Sequence, residues 1–240
     1  PTWEDTIEKA HKINERLRWS WGVVKHLNSV CNTSSLREVY SSQQPDVIKF
    51  SNKLNQSKII YKALNSLLNN NQLINNAQRR IIECELNFMR NKGIGLEGEQ
   101  KIKYNKNSEK LAKLSTKFGN NVLDATKNWK LLLTQDSEIK GLPKRILTSF
   151  EKAAKESFFE HHKDSTKDKK GPWLVTLDAP SYIPFMKFSE NRSLREKLYK
   201  AYISRASSGE FNNQKIIEEI LDLRQDQATL LGYENWAELS

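Results

Sequence analysis

The sequence predicts a mainly α protein, built of long antiparallel helices with one small three-stranded antiparallel sheet. Three observations predict it. Apolar residues recur at alternating three- and four-residue steps through most of the 240 residues, the period of a helix with one buried face. Hydrophobic residues make up 37% of the chain and charged ones 28%, a balance that suits amphipathic helices with broad solvated faces. Gly (9) and Pro (6) are too few for the tight turns of an all-β chain, and β-forming runs are confined to Trp129–Leu133, Trp173–Leu177 and Phe185–Phe188.

From Trp3 to Val30 the stripe Trp3, Ile7, Ala10, Leu17, Trp21, Val24, with Asn14 and Asn28 in its gaps, predicts one long helix packed against a neighbour. Asn32–Ser35 breaks it, and Ser34 or Ser35 is the expected cap of a second helix, with Glu38 placed for a capping box. Pro45 is expected to kink or restart that helix. The stripe Val47, Phe50, Leu54, Tyr61, Leu64, Leu68 then runs to the loop Asn69–Asn71. Asn75 or Asn76 caps a third helix with the face Ala77, Ile81, Cys84, Phe88. Gly93-Ile-Gly95-Leu-Glu-Gly98 satisfies G-x-G-x-x-G in letters, but a helix rather than a strand precedes it. It therefore reads as a helix end and loop, not a dinucleotide site. Glu99–Ala125 is the fourth long helix, with the face Ile102, Leu111, Leu114, Phe118, Val122, Ala125; Asn120, Asn121 and Asp124 on it read as interhelical hydrogen-bond partners or a solvated face.

Trp129–Leu133 is a short apolar strand. Gly141-Leu-Pro143 turns into a helix with the face Ile146, Leu147, Phe150, Ala153, Ala154 and Phe158. Residues 161–171 are expected to form a mobile loop, since His161–Lys170 is polar and densely charged. Trp173–Leu177 and Phe185–Phe188, joined across Pro180 and Pro184, predict a hairpin that Trp129–Leu133 completes. A helix follows, capped by Ser193 in a box with Glu196 or by the rival Asn191, with Leu194, Leu198, Ala201, Tyr202 and Arg205 at helical spacing. Asn212 or Asn213 caps the last long helix, and Gly232 is placed to end it.

Formal net charge is +10. Lys and Arg are dispersed among Asp and Glu, with no basic arm and no Arg–aromatic cluster, so only weak, non-specific nucleic-acid binding is expected. Cys31 and Cys84 cannot form a metal site by themselves; both fall on apolar faces and are expected to be buried free thiols. No apolar run is long enough to span a membrane and no leader peptide is evident. The chain opens at Pro1-Thr2-Trp3 without Met and closes at Ser240, inside a helix beginning near Glu234, which predicts a fragment of a longer protein.

Several of these stretches resemble one family. Leu174–Met186 resembles its L-T-L-D-x-P-S-Y-x-P-x-M, with Val175 where that family often has Leu or Thr. Leu194–Ala206 resembles L-R-E-x-x-Y-x-A-Y-x-x-R-A. Phe118–Thr126 resembles F-x-N-N-V-L-D-A-T, and Arg224–Trp236 resembles R-x-x-x-A-x-L-L-G-Y/F-x-N-Y/W. Gly93–Leu96 and Gly141–Pro143 fall where the family has similar G-I-G-L and G-L-P segments. The family is the thimet oligopeptidase and oligopeptidase A group of zinc metallopeptidases, and the similarity, from Trp3 to Leu239, is to its N-terminal helical region.

The resemblance implies a parent zinc enzyme that cleaves short unstructured peptides in the cytoplasm, and a role for residues 1–240 as one wall of its substrate channel. The chemistry itself needs His-Glu-x-x-His, whose spacing puts two imidazoles on one helix face with a carboxylate to activate water. No His here is followed by Glu, and no two lie four apart: His11 and His26 are distant in sequence, and His161 and His162 are adjacent. No G-x-S-x-G motif is present and neither Cys has a paired His. No catalytic or metal-binding residue is therefore assigned, no substrate-binding residue can be named, no cofactor is expected in this chain, and the chain alone is expected to be inactive. The alternative is a stand-alone helical binding or scaffold protein that touches nucleic acid weakly.

Overall fold

The computed structural model describes residues 1–70, 74–158 and 171–240; the expected loop lies, up to Lys170, outside the described residues. The chain divides into two compact units, residues 1–115 with 218–240, and residues 116–217.

In the first unit a π-helical turn, Glu4–Glu8, leads into α1 (Lys9–Val30). Within α1 the partly buried residues are Ala10, Asn14, Leu17, Trp21, Val24 and Asn28, and every other residue is exposed. This is the stripe read from the sequence. It packs on α2 (Ser34–Asn55), where Trp21 stacks on buried Tyr40 with ring centroids 4.8 Å apart. Thr33, not Ser34 or Ser35, caps α2, its side chain accepting from the Leu36 N–H. Pro45 neither ends nor restarts the helix, which continues to Asn55. The break comes instead at Gln56, and Ser57 caps α3 (Lys58–Asn69).

Asn75 caps α4 (Asn76–Asn91) in a reciprocal box with Gln78. Its buried residues are Ile82, Leu86 and Met89, not the expected Ile81, Cys84 and Phe88. Both sets obey helical spacing; packing selects the one displaced by one to two residues. Cys84 consequently faces solvent, and Cys31, at the end of α1, is exposed too, so neither thiol is buried as expected. Ile82, Leu86 and Met89 join Ile7, Leu64, Leu67 and Ile94 in one core, each worth about 1.5–3 kcal/mol when fully buried.

The first turns of α5 (Gly98–Asn128) and the later turns of α9 (Gln214–Leu230) run antiparallel in this unit. Lys103 pairs with Asp226 and Lys110 with Glu219, both at 2.9 Å. Beside these pairs the Gln227 amide donates to the Ser108 hydroxyl at 2.9 Å. Gly232, at φ +84°, ends α9 with the Tyr233 N–H donating back to the Ala228 carbonyl and the Gly232 N–H to Thr229. That is the left-handed helix stop at which glycine avoids the Cβ penalty. Asn235 then caps a short α10 (Trp236–Leu239).

The second unit holds the sheet. β1 (Lys130–Leu133) pairs antiparallel with β2 (Trp173–Thr176) in the register Lys130↔Thr176 to Leu133↔Trp173. The pairing of Trp129–Leu133 with Trp173–Leu177 is thus as the sequence indicated, but the described sheet has two strands rather than three. Phe185–Phe188 belongs to α7 (Ala179–Phe188). The reason lies at its start. The Asp178 carbonyl accepts from the N–H groups of both Ser181 and Tyr182, and Pro180 occupies the first turn, where its missing N–H costs nothing. Tyr182, Phe185, Met186 and Ser189 then turn inward at helical steps while Ile183, Lys187 and Phe188 face solvent.

Helix α6 (Lys144–Phe158) covers the sheet, and Leu131, Leu133, Leu142, Phe150, Trp173, Val175, Leu177, Phe185 and Leu198 form its core. Gly141, at φ +84°, is needed at the turn into α6, because an added Cβ would collide with the Phe188 carbonyl oxygen. Helix α8 (Arg192–Ile203) is capped by Asn191, whose side chain accepts from the Leu194 N–H at 3.1 Å. Ser193 lies inside that first turn, and Glu196 pairs with Lys200 at 2.6 Å instead of closing a box.

Candidate functional site

Histidine, cysteine and carboxylate side chains set what the chain can hold. Among the described residues no three or more of them come together as metal ligands. His11 on α1, exposed, lies 3.8 Å from half-buried Glu85 on α4; this offers two donors where a catalytic zinc takes three and an open position. The described donor set does not fit that metal. His161 and His162 lie outside the described residues. The glycine segment 93–98 leaves α4 as a helix end, with the Gly93 N–H on the Arg90 carbonyl and the Ile94 N–H on the Met89 carbonyl, so it cradles no phosphate. Asn121 donates to Asn213 at 2.8 Å, and Asn213, 2% exposed, donates to the Phe118 carbonyl at 3.2 Å. That buried amide pair ties α5 to the start of α9 within the second unit, the interhelical role expected for it.

The motif residues of the second unit gather at one place. Tyr182 on α7 stacks on Tyr202 on α8 at 4.0 Å and 20°. The Arg205 guanidinium lies over the Tyr202 ring at 3.8 Å, donates from Nε to the Tyr202 carbonyl at 2.9 Å, and donates to the Thr126 hydroxyl at the end of α5 at 3.3 Å. Burial, with Tyr202 and Tyr199 nearby, pushes the Tyr182 phenol above its ordinary pKa, so it stays a neutral hydroxyl at physiological pH. Around it the Thr176 N–H donates to the Ser181 hydroxyl at 2.9 Å, the Thr176 hydroxyl donates to Asp178 at 3.0 Å, and Arg195 donates to the Ser189 carbonyl. These groups are donors, acceptors and π faces. They fix α5, α7 and α8 to one another. The sequence reading passed over this stack because it placed Tyr182 in a turn between strands. The spacing of Tyr202 and Arg205, three apart across the end of α8, is the signal that could have shown half of it.

The first unit carries an open cleft of about 610 Å³ where α2, α3 and α5 meet, with Lys49, Lys53 and Lys101 at its sides and Phe50 within it. Its floor is Gln56, 4% exposed, whose amide donates to the Lys92 carbonyl at 2.9 Å and to Asn105 at 2.8 Å. The volume is that of a small-ligand site, and Glu109 also lines it, so its walls carry charges of both signs.

Comparison with known proteins agrees with these motifs. The profile of the family described as "Neurolysin/Thimet oligopeptidase, N-terminal domain" matches residues 1–101, and that of "Peptidase family M3" matches residues 185–240. Two Arabidopsis thaliana proteins, "Probable cytosolic oligopeptidase A" and "Organellar oligopeptidase A, chloroplastic/mitochondrial", are each 43% identical over 100% of this chain, covering 34% and 30% of their own lengths. "Oligopeptidase A" of Haemophilus influenzae is 38% identical over 100% of the chain and 34% of its own. The chain spans about a third of the length of the relatives it matches. With both profiles matched and every segment aligned, the chain belongs to the thimet oligopeptidase and oligopeptidase A family, peptidase family M3, and represents its N-terminal region.

Proposed function

We propose that the chain is the non-catalytic N-terminal part of a zinc metallo-oligopeptidase and forms one wall of the channel that admits short unstructured peptides. The observation that carries this reading is alignment of the whole chain with oligopeptidases A three times its length, joined to a described donor set that fits no catalytic metal. A wall of this kind selects by shape and by weak contacts; zinc, supplied by residues outside this chain, would activate the water. Peptides are its partners, rather than a specific nucleic acid or a membrane: the described lysines are partly committed to carboxylates, as at Lys103, Lys110 and Lys200, and no helix among the described residues is long and apolar enough to cross a membrane. The cytoplasm is the proposed compartment, supported by the cytosolic relative. An organellar relative of equal identity makes cell fractionation the check, and recovery in organelles alone would refute it.

The central test is metal analysis and a quenched-peptide cleavage assay on the isolated 240-residue chain. The expected outcome is no stoichiometric zinc and no cleavage. Zinc at one per chain, or cleavage abolished by a chelator, would overturn the reading.

A further inference from the structure

Helix α1 carries two apolar stripes, and only one is packed. Opposite the residues that face α2 lie Trp19 (65% exposed), Val23 (55%), Leu27 (40%) and Val30 (60%). Their steps of four, four and three hold them on one side of the helix. Toward the start of α1 that side continues as Lys9, Lys12 and Arg16, all exposed. The Trp19 indole N–H donates to Glu15 at 3.2 Å, which holds its ring beside the stripe. Isolated exposed apolar residues are ordinary, but a contiguous row led by tryptophan marks an interaction surface.

The occupant can be chosen on charge and mass. A second copy docking through the same patch would bring together two chains that each carry a net charge of +10. The relatives, by contrast, extend about twice as far again beyond the part aligned with this chain, and a chain of net charge +10 is complemented by acidic surface. We propose that this face of α1 docks the remaining two-thirds of the oligopeptidase polypeptide. An apolar groove there takes Trp19, Val23 and Val30, and carboxylates meet Lys12 and Arg16. The inference rests on the proposed function and adds to it the surface through which the wall is held.

The experiment is association of the purified chain with the separately purified part of the Arabidopsis thaliana cytosolic relative that lies C-terminal to the aligned stretch, each first verified as folded by a cooperative thermal melt and then measured by titration calorimetry. A one-to-one complex is expected. Trp19→Ala should weaken it about thirtyfold, the size of an aromatic hot spot, and Lys12→Glu with Arg16→Glu should weaken it and flatten its salt dependence. Ile203→Ser, on the exposed side of α8, should leave the affinity unchanged. Trp19 and Val23 are solvent-facing, so circular dichroism of these variants should match the parent chain. A Trp19→Ala affinity equal to that of the parent chain would overturn the inference while leaving the proposed function standing, since the metal and cleavage assay tests the latter independently. Absence of any complex would overturn it as well. So would dimerisation of the chain, or its retention on phosphatidylserine vesicles, if either is abolished by Trp19→Ala, because each assigns the face to another occupant.

Discussion

Across its 22 residues α1 has no fully buried side chain, whereas β2 buries three of its four. Both contribute apolar residues, β2 continuously and α1 interspersed with charged ones. The difference lies in what surrounds them. β2 is paired along one edge by β1 and covered by α6, so Trp173, Leu174 and Val175 lose water on both faces. Helix α1 is met by α2 on one side, and what it buries is half-shielded. Apolar content therefore does not measure burial: the number of packed neighbours does.

This comparison can be broken by substitution. Phe185→Ala, at the centre of the second unit's core and fully buried, should cost about 3–5 kcal/mol, measured as a fall in the urea midpoint. Gly141→Ala should cost about 1–3 kcal/mol, from the positive φ and the close Phe188 carbonyl. Trp21→Ala, which removes the stack on Tyr40, should cost about 1–2 kcal/mol; a loss equal to that of Phe185→Ala would show α1 to be as deeply anchored as the sheet. Val23→Ser should change stability by less than about 0.5 kcal/mol, and a larger loss would mean that the outer stripe packs within this chain. The smallest effect is electrostatic. The hydrogen bond and charge of Lys58 hold the Glu97 carboxyl below the usual carboxylate range. A lowered folded-state pKa contributes stability above the unfolded pKa and loses it as pH falls through the folded one. Lys58→Gln should bring the Glu97 midpoint back up in an NMR titration, and an unmoved midpoint would remove the pair from the account.

Much of the fold was legible where only one answer satisfied the period. The inner stripe of α1 was read residue for residue, since with Trp3 and Ile7 ahead of it the row Ala10, Leu17, Trp21 and Val24 runs the length of the segment, whereas Trp19, Val23, Leu27 and Val30 occupy only its second half. On α4 two stripes compete, because Ile81 and Ile82 are adjacent and Phe88 and Met89 are too; local sequence cannot say which one the core of Ile7 and Leu67 will take. The same ambiguity governed Phe185–Phe188, whose composition suits a strand while its helical outcome is set by Asp178 and Pro180 upstream. The cap of α8 shifted from Ser193 to Asn191 because either side chain can accept an N–H, and the position of Leu194 and Leu198 against the core chooses between them. At the candidate site the family motifs were visible, but their assembly was not: Thr126, Tyr182, Tyr202 and Arg205 are brought together only by the packing of three helices. The absence of a helical histidine pair, by contrast, is a property of the letters alone.

The register of the sheet bears on how the chain comes into being. Leu133 pairs with Trp173 and Lys130 with Thr176, partners roughly forty residues apart, so the strand K-L-L-L leaves the ribosome well before its pairing strand. At synthesis rates of about 5–20 residues per second the wait is about two to eight seconds, long compared with the microseconds in which helices form. The loop between the strands must also be closed before the pairing repays its entropy. During that interval Leu131 and Leu133 form an unpaired apolar edge on a nascent chain whose helices are already assembling, and this edge is where chaperone contact or misassociation during synthesis is expected to fall.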